Sequence, residues 1–312
     1  MSFSNDVKQE LSFSEEISPR HCDIAEILGF LNMQSKIIQR YGRYFLYAET
    51  DNYYAVRRFC NKLKSVFGLS CEVSLRHNLK LDKKTYYIYI SHSSVLLKIL
   101  KAAGIYNSDG SADQAKLSPL VVKSPCCKRS YLRTVFLTNG SISDPLKSYH
   151  LEFVFSDEEK PYEISKLLEA FELSSKIIKR KNNFVLYLKE ADNIADLLNI
   201  MGAHGSLLDF EGIRVIKDVS NNVNRKVNFE TANLNKTISA SVLQIEDINF
   251  IEEKKGLSYL SEQLLEVALM RLEYPNATLK EIGEKLMPKI SKSGVNHRLR
   301  KISDIAEKLR RD

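Results

Sequence analysis

The chain has 312 residues, 44 % of them hydrophobic and 27 % charged, which suits two soluble globular domains better than one core. It contains no run of about eighteen apolar residues, so no spanning helix is expected, and the polar opening MSFSNDVKQELSFSEE does not read as a signal peptide. A balance of 46 Lys and Arg against 39 Asp and Glu gives a net charge of +7, compatible with a polyanionic partner but no proof of one.

The first two-thirds carry an internal repeat. HCDIAEILGFLNMQSKI, from His21, aligns without gaps on CCKRSYLRTVFLTNGSI, from Cys126. Cys22 falls on Cys127, Leu31 on Phe136 and Ile37 on Ile142. After the first apolar helix, SKIIQRYGRYFLYAE reads as two strands around a turn at Gly42. A helix, YYAVRRFCNKLKSVF, two further β-rich runs and a closing helix, VLLKILKAAG, complete the unit. The second copy repeats the order through SYHLEFVFS, YEISKLLEAFE, SSKIIKRK, FVLYLKE and IADLLNIMGA. Each copy is thus α-β-β-α-β-β-α, over about 21–104 and 126–203. Together they predict a pseudo-symmetric α+β domain over residues 1–220.

The helices ILGFLNMQS and LRTVFLTNG resemble degenerate LAGLIDADG motifs, named after a class of homing endonucleases. The resemblance implies that the two helices pack centrally through small residues. Gly29 fills that role in the first copy, and Thr134, a less ideal residue, takes the matching place. It also implies a catalytic metal at the acidic eighth motif position, where this chain has Gln34 and Asn139. Neutral amides cannot supply the anionic oxygens that hard cations need, so no catalytic residue and no metal are expected there.

Residues 221–256, rich in Asn, read as a helical connection. Leu234, Ile238, Val242 and Ile245 lie at helical spacing, and Lys254–Lys255–Gly256 reads as the hinge. Residues 257–312 then predict three helices. The first carries an apolar stripe through Leu260, Leu264, Val267 and Met270 and stops at Pro275. The second opens on Thr278, with Glu281 placed to complete a capping box. After a turn at Pro288, Ser291 caps the third helix, whose stripe is Val295, Leu299, Ile302, Ala306 and Leu309. A short helix, a tight turn and a longer helix are the organisation of a helix-turn-helix.

On the third helix Ser293, Asn296, His297 and Arg300 project away from the stripe, with Lys292, Arg298 and Lys301 on its flanks. Arg can address guanine and Asn adenine in bidentate fashion, while lysines neutralise phosphates. These seven residues are the candidate duplex-DNA contacts, a solvated basic face being the plainer alternative. Gly294 would let the backbone approach DNA or the second helix.

The segments MSFSNDVKQEL, CCKRSYLRTVFLTNGSISDP, NRKVNFETANLNKT and ISKSGVNHRLRKISDIAEKLR, in this order and over nearly all 312 positions, carry a resemblance of the whole chain to the bacterial WhiA family. It implies a LAGLIDADG-like domain fused to a helix-turn-helix in a DNA-binding regulator that has lost cleavage. It further implies a cytoplasmic, nucleoid-associated role in cell division and chromosome segregation, or in sporulation.

Lys36, Arg40, Arg43, Lys176, Lys179, Arg180 and Lys181 form a second basic set on the repeat strands, either a DNA saddle or ordinary exposed residues. The repeat domain could instead bind a transcription or cell-division protein, making the chain a scaffold tethered to DNA. Residual nuclease activity through Asp144 is the remaining alternative. The five cysteines, Cys22, Cys60, Cys71, Cys126 and Cys127, show no CxxC spacing and read as reduced thiols. Adjacent Cys126 and Cys127 are poor chelators of one ion and no His or Cys stands at zinc-finger spacing, so neither metal nor cofactor is expected.

Overall fold

A computed structural model describes residues 2–14, 18–80, 82–91, 93–107, 111–113 and 117–311. Among the described residues no helix is long and apolar enough to cross a membrane. The chain divides into two compact units, Met1–Ile216 and Lys217–Asp312.

The first unit is the repeat. Helix α1 (Phe3–Phe13) precedes the first copy, α2 (Arg20–Gln34), β1 (Ser35–Arg40), β2 (Arg43–Thr50), α3 (Tyr53–Phe67), β3 (Glu72–Asn78), β4 (Lys83–Ile90) and α4 (Ser93–Ala102). The second copy is α5 (Pro125–Asn139), β5 (Gly140–Ile142), β6 (Leu151–Phe155), α6 (Glu159–Glu169), β7 (Lys176–Arg180), β8 (Asn183–Leu188) and α7 (Ala191–Met201). This is the expected α-β-β-α-β-β-α order, twice. The two four-stranded antiparallel sheets have equivalent orders, β1-β2-β4-β3 and β5-β6-β8-β7. At the first hairpin Tyr41 and Gly42 both have positive φ, +52° and +72°, which suits a two-residue turn between twisted strands.

The central helices α2 and α5 cross at the small residues the resemblance implied. A Cβ on Gly29 would lie 3.1 Å from Thr134 Cβ and 3.3 Å from the Tyr131 carbonyl oxygen. Leu28, Phe30, Leu31, Leu132, Val135 and Phe136 are buried around that crossing. A charged cluster is buried with them, centred on Glu26 of α2. Glu26 accepts from Arg58 Nε at 2.5 Å, Arg58 Nη2 at 2.7 Å and Arg133 Nη1 at 3.1 Å. Arg58 also donates to the Leu11 carbonyl, and Arg133 Nε to the Met201 carbonyl at 2.6 Å. One carboxylate and two guanidiniums therefore tie α1, α2, α3, α5 and the end of α7 together.

Helix α1 was not expected from the sequence, where its segment counted only as a polar opening. Its Val7 and Leu11 are fully buried, and its Glu10 caps the helix that follows α7, α8 (His204–Lys255). The Glu10 carboxylate accepts from the Gly205 and Ser206 amides at 2.7 and 2.8 Å.

The second unit contains the C-terminal part of α8 with α9 (Glu262–Glu273), α10 (Leu279–Lys285) and α11 (Lys292–Arg311). Its core joins Ile248 and Ile251 of α8 to Leu260, Leu264, Val267, Ile282, Leu286, Val295, Leu299, Ile302 and Ala306. Lys254–Lys255–Gly256, expected as a hinge, does not separate two cores: Gly256, with φ +78°, turns the chain between Ile251 and Leu260, which are buried in the same cluster. Arg310 on α11 pairs with Asp247 at 2.9 Å and lies over the Phe250 ring, adding polar ties across that turn. The stripe Leu234, Ile238 and Val242 is helical as expected, but all three residues are exposed.

Candidate nucleic-acid interface

The helix-turn-helix is built by capping and one close backbone approach. Thr278 Oγ1 accepts from the Glu281 amide at 3.3 Å while Glu281 Oε2 accepts from the Thr278 amide at 2.7 Å, the expected reciprocal box. The Thr278 backbone amide first, and the Thr278 hydroxyl next, hold the Glu281 carboxyl below the usual carboxylate range. Ser291 Oγ accepts from the Gly294 amide at 3.2 Å and starts α11. The glycine that permits close packing is Gly283, not Gly294. A Cβ on Gly283 would sit 2.3 Å from the Ile290 carbonyl oxygen, whereas one on Gly294 meets nothing nearer than 3.6 Å.

Helix α11 buries Val295, Leu299, Ile302 and Ala306, as the stripe predicts, with Leu309 half-buried. Lys292, Ser293, His297, Arg300 and Lys301 are exposed, and Asn296 is half-buried on the same side. Arg298 is drawn inward: its Nη1 donates to the Gln263 carbonyl of α9 at 3.4 Å, so only part of that side chain faces solvent. Among the described residues, Lys292, Arg300 and Lys301 have no ion pair, and the first turn of α11 carries no acid. The positive end of the helix dipole thus coincides with Lys292 and Ser293, while Arg300 and Lys301 stand about two turns further along. This is what a recognition helix presents to a major groove.

The repeat unit offers a second surface. On β2 the residues Tyr44, Leu46 and Ala48 face the core, so strand alternation turns Arg43, Phe45 and Tyr47 outward. Register places Arg40 opposite Arg43, Lys36 opposite Tyr47, and Tyr47 opposite Tyr89. Lys36, Arg40 and Arg43 therefore share one outer face with the paired rings Phe45–Tyr89 and Tyr47–Tyr87. Those aromatics were not among the expected contacts, although their period-two alternation marks them. In the second sheet Lys176 and Arg180 face outward beside Glu152, whose carboxylate is 4.0 Å from Arg180. Lys179 does not belong with them. It sits opposite Phe184, on the parity of buried Phe155, and its ammonium lies over the Phe184 ring. Lys181, just past β7, is exposed in the β7–β8 turn with φ +56°.

At the C-terminal ends of α2 and α5, Gln34 Nε2 donates to Asn139 Oδ1 at 3.4 Å and Asn139 Nδ2 to the Val154 carbonyl at 2.8 Å. Linked by one amide hydrogen bond, the pair brings no charge and so does not fit a hard divalent cation. Asp144 is occupied elsewhere, accepting from the Leu146 amide at 2.9 Å in the turn after β5. Acids the sequence did not single out lie nearer. Glu49 and Asp51 line a cavity of about 410 Å³ with Gln34, and Asp157 lines a smaller one with Asn139. At the opposite, N-terminal ends of the same helices, Cys126 and Cys127 lie against His21 and Cys22.

Comparison with known proteins agrees with this architecture. Residues 20–106 match the WhiA N-terminal LAGLIDADG-like domain, 128–220 the WhiA LAGLIDADG-like domain, and 223–306 the WhiA C-terminal HTH domain. The chain is 44 % identical over 318 residues to the "Probable cell division protein WhiA" of Thermoanaerobacter pseudethanolicus, covering 99 % of this chain and 98 % of that relative. It is 41 % identical over 313 residues to the protein of the same name from Clostridium botulinum, covering 99 % of each. Among solved structures it is similar to full-length DUF199/WhiA from Thermatoga maritima, with a TM-score of 0.59 and 29 % identity over 99 % of each chain.

Proposed function

The chain belongs to the WhiA family, and from that premise we propose that it is a sequence-specific double-stranded-DNA-binding regulator without nuclease activity, acting in cell division and chromosome segregation. The observation that carries this reading is α11. A capped helix of a helix-turn-helix offers Ser293, Asn296, His297 and Arg300 beside the exposed Lys292 and Lys301. Asn296 and Arg300 are the base readers, Lys292 and Lys301 the phosphate contacts, and Arg298 positions the helix through α9. The outer face bearing Lys36, Arg40 and Arg43 with its tyrosines is a secondary, non-reading contact that raises affinity. The amide pair Gln34–Asn139 supports the absence of cleavage, because phosphodiester hydrolysis there would lack its charged metal ligands. Cell division is the role named for the curated relatives.

The test uses the full chain and genomic duplexes selected by binding. Asn296→Ala and Arg300→Ala should each cost about 1–3 kcal/mol of discrimination against mismatched bases. Lys292→Ala with Lys301→Ala should weaken all duplexes alike and flatten the salt dependence by roughly 0.9 per lysine. If sequence preference survives in the Asn296→Ala/Arg300→Ala double variant, α11 is not the reader. Magnesium-dependent nicking of supercoiled DNA would overturn the non-nuclease reading separately.

A further inference from the structure

The repeat symmetry assembles a set of soft ligands that no stretch of the sequence displays. His21 and Cys22 are the second and third residues of α2, and Cys126 and Cys127 are the second and third of α5. Because α2 and α5 pack side by side, one ligand atom from each of the four residues falls within 4.8 Å of every other. His21 Nδ1 lies 3.1 Å from Cys127 Sγ and 3.4 Å from Cys22 Sγ.

A tetrahedral zinc ion, with Zn–S near 2.3 Å and Zn–N near 2.0 Å, holds its donors roughly 3.5–3.8 Å apart. The four donors therefore already lie near that spacing, and only small side-chain shifts separate them from a closed coordination shell. We propose that His21, Cys22, Cys126 and Cys127 form a structural Cys₃His zinc site that joins the two repeats.

The donor chemistry selects zinc over magnesium or calcium, since thiolate and imidazole are soft or borderline ligands. Four protein donors leave no open position for a reacting group, so the role is structural. Two helix N-termini converge on the site, and their dipoles favour the thiolate forms that a metal requires. Cys22 and Cys127 are buried and Cys126 and His21 exposed, which gives the ion a route in from solvent. A groove lined by Ser18, Cys22, Cys126, Arg129 and Ser130 opens beside them.

Zinc must displace the thiol protons, so its affinity rises with pH. With two ligands from each copy, the ion would staple the halves of the repeat unit. The site lies at the opposite end of the helix pair from Gln34 and Asn139, so it is distinct from the metal position that the LAGLIDADG resemblance implies.

The experiment takes the full chain, purified with its thiols reduced, measures bound zinc by elemental mass spectrometry, and titrates the stripped protein with Zn²⁺ and Co²⁺. One equivalent per chain is expected. Cobalt should give thiolate charge-transfer absorption with the strong visible bands of a tetrahedral centre, and zinc affinity should fall as pH is lowered from 8 to 6. Cys126→Ser with Cys127→Ser should weaken binding more than about 100-fold, a direct-ligand loss exceeding that of an outer-shell change. Cys60→Ser, outside the cluster, should leave binding unchanged. Should the double variant lose its circular-dichroism signature, His21→Gln serves in its place, altering the cobalt spectrum while all three thiols remain. Failure of the reduced wild-type chain to take up either ion, or equal uptake by the wild type and the ligand variants, would overturn the proposal.

Discussion

The two units solve the same problem, fixing three or more helices against one another, by different means. At the centre of the repeat unit a buried carboxylate, Glu26, stands between the guanidiniums of Arg58 and Arg133. The core of the helix-turn-helix unit is mostly apolar, and among the described residues its most deeply buried charged side chain, Arg271, donates to the carbonyls of Ala277 at 2.7 Å and Pro275 at 3.4 Å. Burial accordingly lowers the Arg271 pKa. The larger unit can enclose an ion network because several elements converge to satisfy it. The smaller one depends on tight apolar contact and on its helix ends. Buried charge thus makes the repeat unit sensitive to the loss of a partner, and close packing makes the second unit sensitive to added volume.

Glu26→Ala is the strongest way to expose that difference. It leaves two guanidiniums buried without their carboxylate, which should destabilise the repeat unit by about 3–5 kcal/mol. Chemical denaturation followed by hydrogen exchange in each unit should show lost protection in α2, α3 and α5, with α9–α11 retained. A uniform loss across both units would contradict their independence. In the second unit the corresponding probe is Gly283→Ala. Its new methyl meets the Ile290 carbonyl oxygen at 2.3 Å, a backbone atom that cannot swing away, so a cost of about 1–3 kcal/mol is expected. Gly294→Ala should do the reverse, gaining up to about 1 kcal/mol because its methyl meets only ordinary contacts and the helix gains propensity. Thermal melts of the two variants, shifting in opposite directions, would separate packing from propensity.

These contrasts also mark what could be read before the structure. The repeat, its element order and the capping box of α10 rest on local periodicity and spacing, and those signals survive folding unchanged. Gly29 against Thr134 was legible because the resemblance specified which faces of two helices meet. The role of Gly283 was not, since a glycine inside a helical pattern does not announce which carbonyl will approach it. Ile248 and Ile251 looked like part of a connector because their helix runs on from an exposed segment. Lys179 was grouped with its neighbours because counting basic residues along a strand ignores the side to which each one points. His21, Cys22, Cys126 and Cys127 escaped for a related reason. Chelation motifs are recognised by short spacing, and here the spacing is supplied by tertiary symmetry across 106 positions between His21 and Cys127.

The smallest effect tests helix ends, where the units are alike. Glu10 caps α8 in the first unit with its carboxylate, and Glu281 completes the cap of α10 in the second. Thr278→Ala removes the hydroxyl that accepts the Glu281 amide, and loss of such a cap should cost about 1 kcal/mol. Glu281 supplies the pH signature. Its folded pKa is depressed by the Thr278 backbone amide first and the Thr278 hydroxyl next. Its stabilisation is therefore complete above the unfolded carboxylate pKa and disappears as pH falls through the depressed folded value. Glu281→Gln keeps an acceptor for the Thr278 amide but removes the titration. Stability measured from neutral pH down through the carboxylate range should thus fall less steeply for Glu281→Gln than for the wild type. Equal slopes would mean that the cap acts through geometry alone, and that the charge on Glu281 adds nothing to the fold of the second unit.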